Sequence, residues 1–376
     1  MISVRFFSCF LFVALPAFSQ SIGIDAHLDT IQRVFIEGVD LGKRLPNGPV
    51  DFSRLKDGGV TAPFFALWIP TYYKGAEAVR RTLDYCDAAQ KMFEEHRNEI
   101  VHALNASDIE RITKAGKLAI VLTLEGGHQI GNDIAMLRVY QRLGIRAMTL
   151  THFRNNEWAD SSTDKPEHDG LTDFGKDVVR EMNRLGMLVD VSHVSDKTFY
   201  DALAVSSEPV IASHSSCRAL TDMPRNMTDE MLRALAKNGG VVGIAFAPAF
   251  LNREDSAAFA GRVKAADTLD PKLSGRDLDD YSAKDILKDY STGLKTEHAS
   301  LSDVVAHIDH AVKIAGIDHV GIGSDFDGIP DVPKGLEDIG KMPDLWRALE
   351  EKGYSKVDID KIKSGNLLRV IRRSMK

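Results

Sequence analysis

Alternating strand and helix periods predict an α/β protein: a (β/α)8 TIM-like barrel with a helical insertion between its seventh and eighth strands. Three observations carry the prediction. Short apolar, β-branched runs recur eight times, segments of helical period separate them, and six of the eight runs end in His, Asp or Glu. The chain has 376 residues, 44% of them hydrophobic and 27% charged, which supplies a sizeable core and excludes a disordered or fibrous protein. A formal net charge of −7 without any basic block argues against a nucleic-acid partner. Three cysteines are too few for a disulfide scaffold.

The elements follow in order. Residues 1–19 read as a signal peptide: Arg5, an apolar run from Phe6 to Phe18, and the small residues Ala17 and Ser19 before a cleavage point at Gln20. The run is shorter than the ~20 residues a membrane span needs. The expected mature protein is therefore secreted or periplasmic, with no membrane anchor after cleavage. The basic end Arg372-Arg373-Ser374-Met375-Lys376 lacks the apolar tail of a lipid-anchor signal. Residues 20–376 form a single domain.

The predicted strands are Ile22–Asp29, Val60–Ile69, Leu118–Glu125, Ile145–His152, Leu188–His193, Pro209–His214, Gly240–Ala247 and His319–Asp325. Helical periods fill Ala76–Ile100, Asp133–Leu143, Asp173–Leu185, Lys197–Val205, Asp229–Lys237 and Asp303–Ala315. Ser107 with Glu110 reads as a capping box, and Gly144, Gly186 and Gly316 close helices. Residues 251–300 break the rhythm. They read either as a solvated insertion or as a lid over the barrel mouth. Cys86 and Cys217 are expected to be unpaired thiols.

In a parallel barrel the strand ends converge on one face, where such enzymes place their chemistry. His27 and Asp29 are two apart, so on a strand both point to one side and can bind one ion together. His193 and His214, from neighbouring strands, can bind a second, and the two oxygens of Glu125 can bridge both. Imidazole and carboxylate without thiolate suits zinc or a similar divalent ion. A lone strand-end histidine is more often structural, but six converging positions must all be so for that reading to hold. His152 ends the fourth strand and Asp325 the eighth. Arg225, after the sixth, is either a surface arginine or a bidentate holder of a substrate carboxylate. The remaining histidines, among them His128 and His307, read as surface or packing residues.

The ordered motifs resemble the renal, or membrane, dipeptidase family over nearly the whole mature chain. They are Asp25-Ala26-His27-Leu28-Asp29, Glu125-Gly126-Gly127-His128, Leu150-Thr151-His152 with Trp158-Ala159-Asp160, His193-Val194-Ser195, Ser213-His214-Ser215-Ser216, Arg225-Asn226, Gly323-Ser324-Asp325-Phe326-Asp327-Gly328 and Gly365-Asn366-Leu367-Leu368-Arg369-Val370. The resemblance implies a barrel hydrolase with two Zn2+ per chain, cleaving free dipeptides through a metal-bridging hydroxide and accepting a D-residue on the C-terminal side. By position, His27 and Asp29 hold one zinc, His193 and His214 the other, and Glu125 bridges. His152 stabilises the oxyanion, Arg225 holds the substrate carboxylate, and Asp325 moves a proton to the leaving nitrogen. A homodimer is also implied by the family.

Three departures stand out. The mammalian disulfides have no counterpart, with arginine at 154; the lipid anchor is missing; and Phe250 stands where those enzymes have a substrate-contacting tyrosine. The alternative enzyme reading is another two-metal amidohydrolase, such as an N-acyl-amino-acid deacylase. A metal-binding scaffold without catalysis is the reading from outside enzymes. Asn105-Ala106-Ser107 and Asn226-Met227-Thr228 match the glycosylation pattern, the second, beside Arg225 where a glycan would obstruct the mouth, by chance.

Overall fold

Seven parallel strands and one bridging segment make the barrel. The computed structural model describes residues 21–257, 298–329 and 331–375. The signal-peptide reading of 1–19 and residues 258–297 of the insertion, with the lid reading attached to them, lie outside these. The strands are β1 (Phe64–Trp68), β2 (Ile100–His102), β3 (Leu118–Glu125), β4 (Ile145–Thr149), β5 (Leu188–Asp190), β6 (Ile211–Ser215), β7 (Val241–Ile244) and β8 (Val320–Ile322). Their order is β1-β3-β4-β5-β6-β7-β8, with every neighbouring pair parallel.

The predicted first strand, Ile22–Asp29, is reduced to one residue. Leu28 bridges Phe65 on one side and Phe326 on the other, both in parallel. Flanking backbone bonds extend the seam: Ala26 N donates to Ile322 O and Leu28 N to Phe64 O, both at 2.9 Å. This segment fills the gap between β8 and β1 and closes the barrel as its eighth stave.

β2 was not expected. The helix predicted to run to Ile100 covers Gly75–Glu95 and stops at His96. The β-branched pair Ile100-Val101 then pairs with Leu118 and Ala119 of β3. β3 is long enough to hold two partners, its first half pairing with β2 and its second half with β4. Other helices fall on or near their predicted bounds: Ile134–Arg142, Asp173–Leu185, Asp196–Val205, Asp229–Asn238 and Leu301–Ala315. The capping box expected at Ser107 is absent. The helix there starts at Ala106, with Asn105 as the cap accepting from the backbone of Asp108.

Two apolar layers hold the barrel. The larger lies between strands and helices. The smaller fills the barrel's lower interior with Ala26, Phe64, Val121, Ala147, Leu188 and Ile211, closed from below by Leu367, Leu368 and Ile371 of the C-terminal helix Asn366–Ser374. Among the described residues no helix is long and apolar enough to cross a membrane. Cys86 and Cys217 are both free and buried. Asn226 is buried, with its amide donating to Thr221 O and Phe250 O, which agrees with chance as the reading of that sequon.

His307, placed by the sequence among packing residues, ties the insertion's stem to the barrel. Its Nδ1 accepts from the backbone N–H of Cys217 at 3.0 Å, and its Nε2 donates to Leu251 O at 3.1 Å. Burial pushes its pKa down to about 4. Protonation puts a second donor against the Cys217 N–H, so the unfolded chain takes up this proton first. Stability is then full above about 6.5 and falls as pH drops through the window from 6.5 to 4, by on the order of 2–3 kcal/mol. A glutamine at this position copies the neutral donor–acceptor pattern without titrating. His307→Gln is therefore expected to flatten the fall of the urea midpoint across that window; parallel pH curves for the two proteins would refute the assignment.

Candidate active site

The chemistry gathers on Glu125, the last residue of β3. Its Oε1 lies 3.0 Å from His193 Nε2, 3.3 Å from His214 Nε2, 3.5 Å from His27 Nε2 and 3.7 Å from His152 Nε2. Asp29 Oδ2 is 3.4 Å from His27 Nε2. All six side chains are buried. β4, β5 and β8 end earlier than predicted, so His152 and His193 sit on loops after β4 and β5, and Asp325 on the loop after β8, whereas Glu125 ends β3 as predicted and His214 lies within β6. The barrel ends still bring every one of them to a single mouth. His193 and Asp325 hold left-handed backbone, with φ of 66° and 67°. This conformation, sparse for side chains other than Asn, Asp and His, turns them inward after the strand stops. β6 shifts register between Ala212 and Ser215, the stretch that carries His214.

Close packing leaves no slack. Gly328 passes so near the centre that a Cβ there would collide with the carboxylates of Asp29 and Asp325. Gly126 has a φ of 110°, and a Cβ on it would run into the His128 ring. His128 itself packs beside the site with Nε2 on Ile69 O, as a structural residue.

Charges respond to this crowding. Burial would raise the Glu125 carboxyl, but the His27 and His152 imidazoles and the hydrogen bonds of His193 and His214 hold it well below its usual range. Burial would lower His27; Glu125 and Asp29 outweigh it and raise it well above. His193 and His214 are pushed well down, first by burial. Burial takes His152 down to about 3 and Arg225 to about 10. Asp325 is raised well above the ordinary carboxyl range, by burial and by the nearby Asp29 and Glu125.

The donor set fits divalent ions. Two groups, Glu125 with His193 and His214, and His27 with Asp29 and Asp325, each hold their donor atoms within 4.8 Å of one another. His27 Nε2 is buried and has no hydrogen-bond partner. His193 Nε2 and His214 Nε2 stand 2.9 Å apart. Two ring nitrogens facing one another and a carboxylate oxygen make sense when a shared cation takes their lone pairs. Asp325 joins the first pair of predicted ligands more closely than the sequence suggested.

Sequence reasoning passed over the roles of Asp190, Ser213 and Trp68. Asp190, last residue of β5, also lies within reach of His27 and His214. Its oxygens are taken, however, by Thr149 Oγ1 and Ser213 Oγ and by the backbone of Ser192 and Ser213. Ser213 Oγ spends its one proton on Asp190 and so accepts from His214 Nδ1 at 2.8 Å. That fixes the His214 proton on Nδ1 and bares Nε2 towards Glu125. The signal was present in the acidic strand end of Asp190, two residues before Ser192. Trp68 ends β1 directly beside Glu125 in register, with its indole on His152.

Arg225 is 3% exposed. Its Nη2 donates to His214 O at 3.1 Å and its guanidinium lies 5.0 Å from the Phe250 ring centre, while Nε is buried without a partner. It is not the surface arginine of the alternative reading. Phe250 thus packs under the guanidinium.

Nitrogen and oxygen donors gathered this tightly at the mouth of a parallel barrel place the chain among the metal-dependent barrel hydrolases. The model of the membrane dipeptidase family (peptidase family M19) matches residues 14–376, and the chain belongs to that family. It is 37% identical over 335 residues to the dipeptidase tcpJ of Claviceps purpurea, covering 86% of this chain and 69% of that one. An uncharacterized dipeptidase of Schizosaccharomyces pombe is 36% identical over 339 residues, covering 86% and 72%. Among solved structures, the probable dipeptidase PvdM of Pseudomonas aeruginosa superposes with a TM-score of 0.78 at 25% identity, over 96% of this chain and 99% of that one. The protein is accordingly a metal-dependent hydrolase of peptide bonds.

Proposed function

We propose that the protein is a secreted dipeptidase that uses two zinc ions to hydrolyse free dipeptides and tolerates a D-residue at the C-terminal position. The observation that carries the substrate class is Arg225: a buried guanidinium with an orphaned Nε beside the ligand cluster, within electrostatic reach of the Asp325 carboxyl. A cation and an acid that close together suit a substrate with a free carboxylate at one end and a free amine at the other. The N-terminal segment supports export.

His27 and Asp29 would hold one ion, His193 and His214 the other, with Glu125 between them. When bound, the ions supply a hydroxide nucleophile at neutral pH and polarise the scissile carbonyl. Arg225 fixes the C-terminal carboxylate and so sets the register of the peptide bond against the centre. His152, neutral because burial lowers it to about 3, donates to the oxygen where negative charge develops. Asp325, at the mouth beside His27 and Asp29, is placed to pass a proton to the leaving nitrogen.

The test is hydrolysis of L-Ala-L-Ala and L-Ala-D-Ala by exported protein beginning at Gln20, zinc-loaded and then chelated. Cleavage of both, lost on chelation and restored by zinc, is the expected result. Turnover of N-acyl amino acids but of neither dipeptide would replace this function with that of a deacylase.

A further inference from the structure

Four histidines point Nε2 at one oxygen of Glu125, all within 3.7 Å. Nothing in those distances says which bind metal and which do something else. The other ring nitrogen decides it. His152 Nδ1 lies 3.2 Å from Trp68 Nε1, with the ring centres 5.4 Å apart. An indole N–H only donates, so His152 Nδ1 accepts and carries no proton. The proton of the neutral ring then sits on Nε2, aimed at the centre. His214 is set the opposite way, because its Nδ1 donates to Ser213 Oγ, which leaves Nε2 bare.

We infer that Trp68 is a positioning residue: its indole N–H locks His152 in the Nε2–H tautomer, so that this ring is withheld from the metal and kept as a hydrogen-bond donor to the reacting carbonyl oxygen. A bare Nε2 is a ligand; a protonated one is a donor and cannot bind an ion. Trp68 thus divides four similar imidazoles into three ligands and one donor. It has the placement to do so, since it ends β1 opposite Glu125 in register and is half-buried at the mouth, with no ligand role of its own. The inference rests on the reading of His152 as the oxyanion donor.

Two measurements test it. In zinc-loaded enzyme labelled with 15N-histidine, the His152 signals, identified by their loss in His152→Gln, are expected to show Nε2 protonated and Nδ1 bare. Trp68→Phe keeps the ring and removes only the donor. It is expected to lower kcat about tenfold, the worth of one hydrogen bond, with KM for L-Ala-L-Ala within about twofold and both zinc equivalents retained. A His152 protonated on Nδ1 in the wild type overturns the proposal whatever the kinetics. So does a Trp68→Phe enzyme with unchanged kcat when His152→Gln is strongly impaired; in that case the donor role of His152 stands and the role of Trp68 falls. Unchanged kcat in His152→Gln removes the underlying reading, and the proposal with it.

Discussion

Glu125→Gln is expected to lose bound metal and dipeptide hydrolysis together, with turnover down about a thousandfold or more. The substitution keeps shape and volume but removes the charge around which three candidate ligand rings and His152 are arranged. Breaking a buried charged cluster by removing one partner costs about 3–5 kcal/mol, and about 4 kcal/mol corresponds to a factor of a thousand. The fold is expected to survive, because glutamine keeps the volume and its amide oxygen can still face the surrounding rings. Metal content by elemental analysis and turnover of L-Ala-L-Ala read the outcome. A Glu125→Gln enzyme with two metal equivalents and more than a tenth of normal turnover would remove Glu125 from the centre.

Arg225→Met is expected to act chiefly on recognition, at some cost in stability. The side chain is buried at 3% exposure, and methionine fills similar space over the Phe250 ring. Removing the guanidinium takes one partner from buried acidic neighbours and from the His214 carbonyl, which costs up to about 3–5 kcal/mol. Loss of a desolvated arginine–carboxylate pair costs about 2–5 kcal/mol of binding. The variant is therefore expected to fold but melt below the wild type, while kcat/KM for dipeptides falls about a hundredfold or more, chiefly through KM. Dipeptides with an amidated C-terminus should be turned over equally poorly by both enzymes. An unchanged KM for L-Ala-L-Ala would show that the guanidinium does not hold the carboxylate.

The site was more legible in the sequence than the elements carrying it. His27, Asp29, Glu125, His152, His193, His214 and Asp325 could be picked out because ligand residue types seldom gather at the ends of apolar runs without a chemical task, whereas Arg225 stood out only through the family resemblance. Where the runs stop was not legible. β4 and β5 end three residues before His152 and His193, since those residues leave the ladder to turn inward. A residue's type shows in a sequence, whereas a backbone bend shows only in its effect. Trp68 and Ser213 were invisible for a different reason. Tryptophan and serine are ordinary in a strand, and only a partner more than eighty positions away in one case, and a neighbouring imidazole in the other, gives them a task. Asn105 displaced Ser107 as a helix cap because both residue types cap well, and the extended backbone at Asn105 decided between them.

The one-residue bridge at Leu28 also sets the order in which the protein comes into being. Its two partners are Phe65, made soon afterwards, and Phe326, made near the end of synthesis. His27 and Asp29 flank that bridge. Their segment takes its final place only when the stretch carrying Phe326 docks beside it. Half of the candidate metal centre is thus attached to a latch that shuts only when the two ends of the barrel meet. A chain without that latch can gather His193, His214 and Glu125 but leaves His27 and Asp29 unplaced, so closure of the barrel, and not any single ligand, completes the candidate centre.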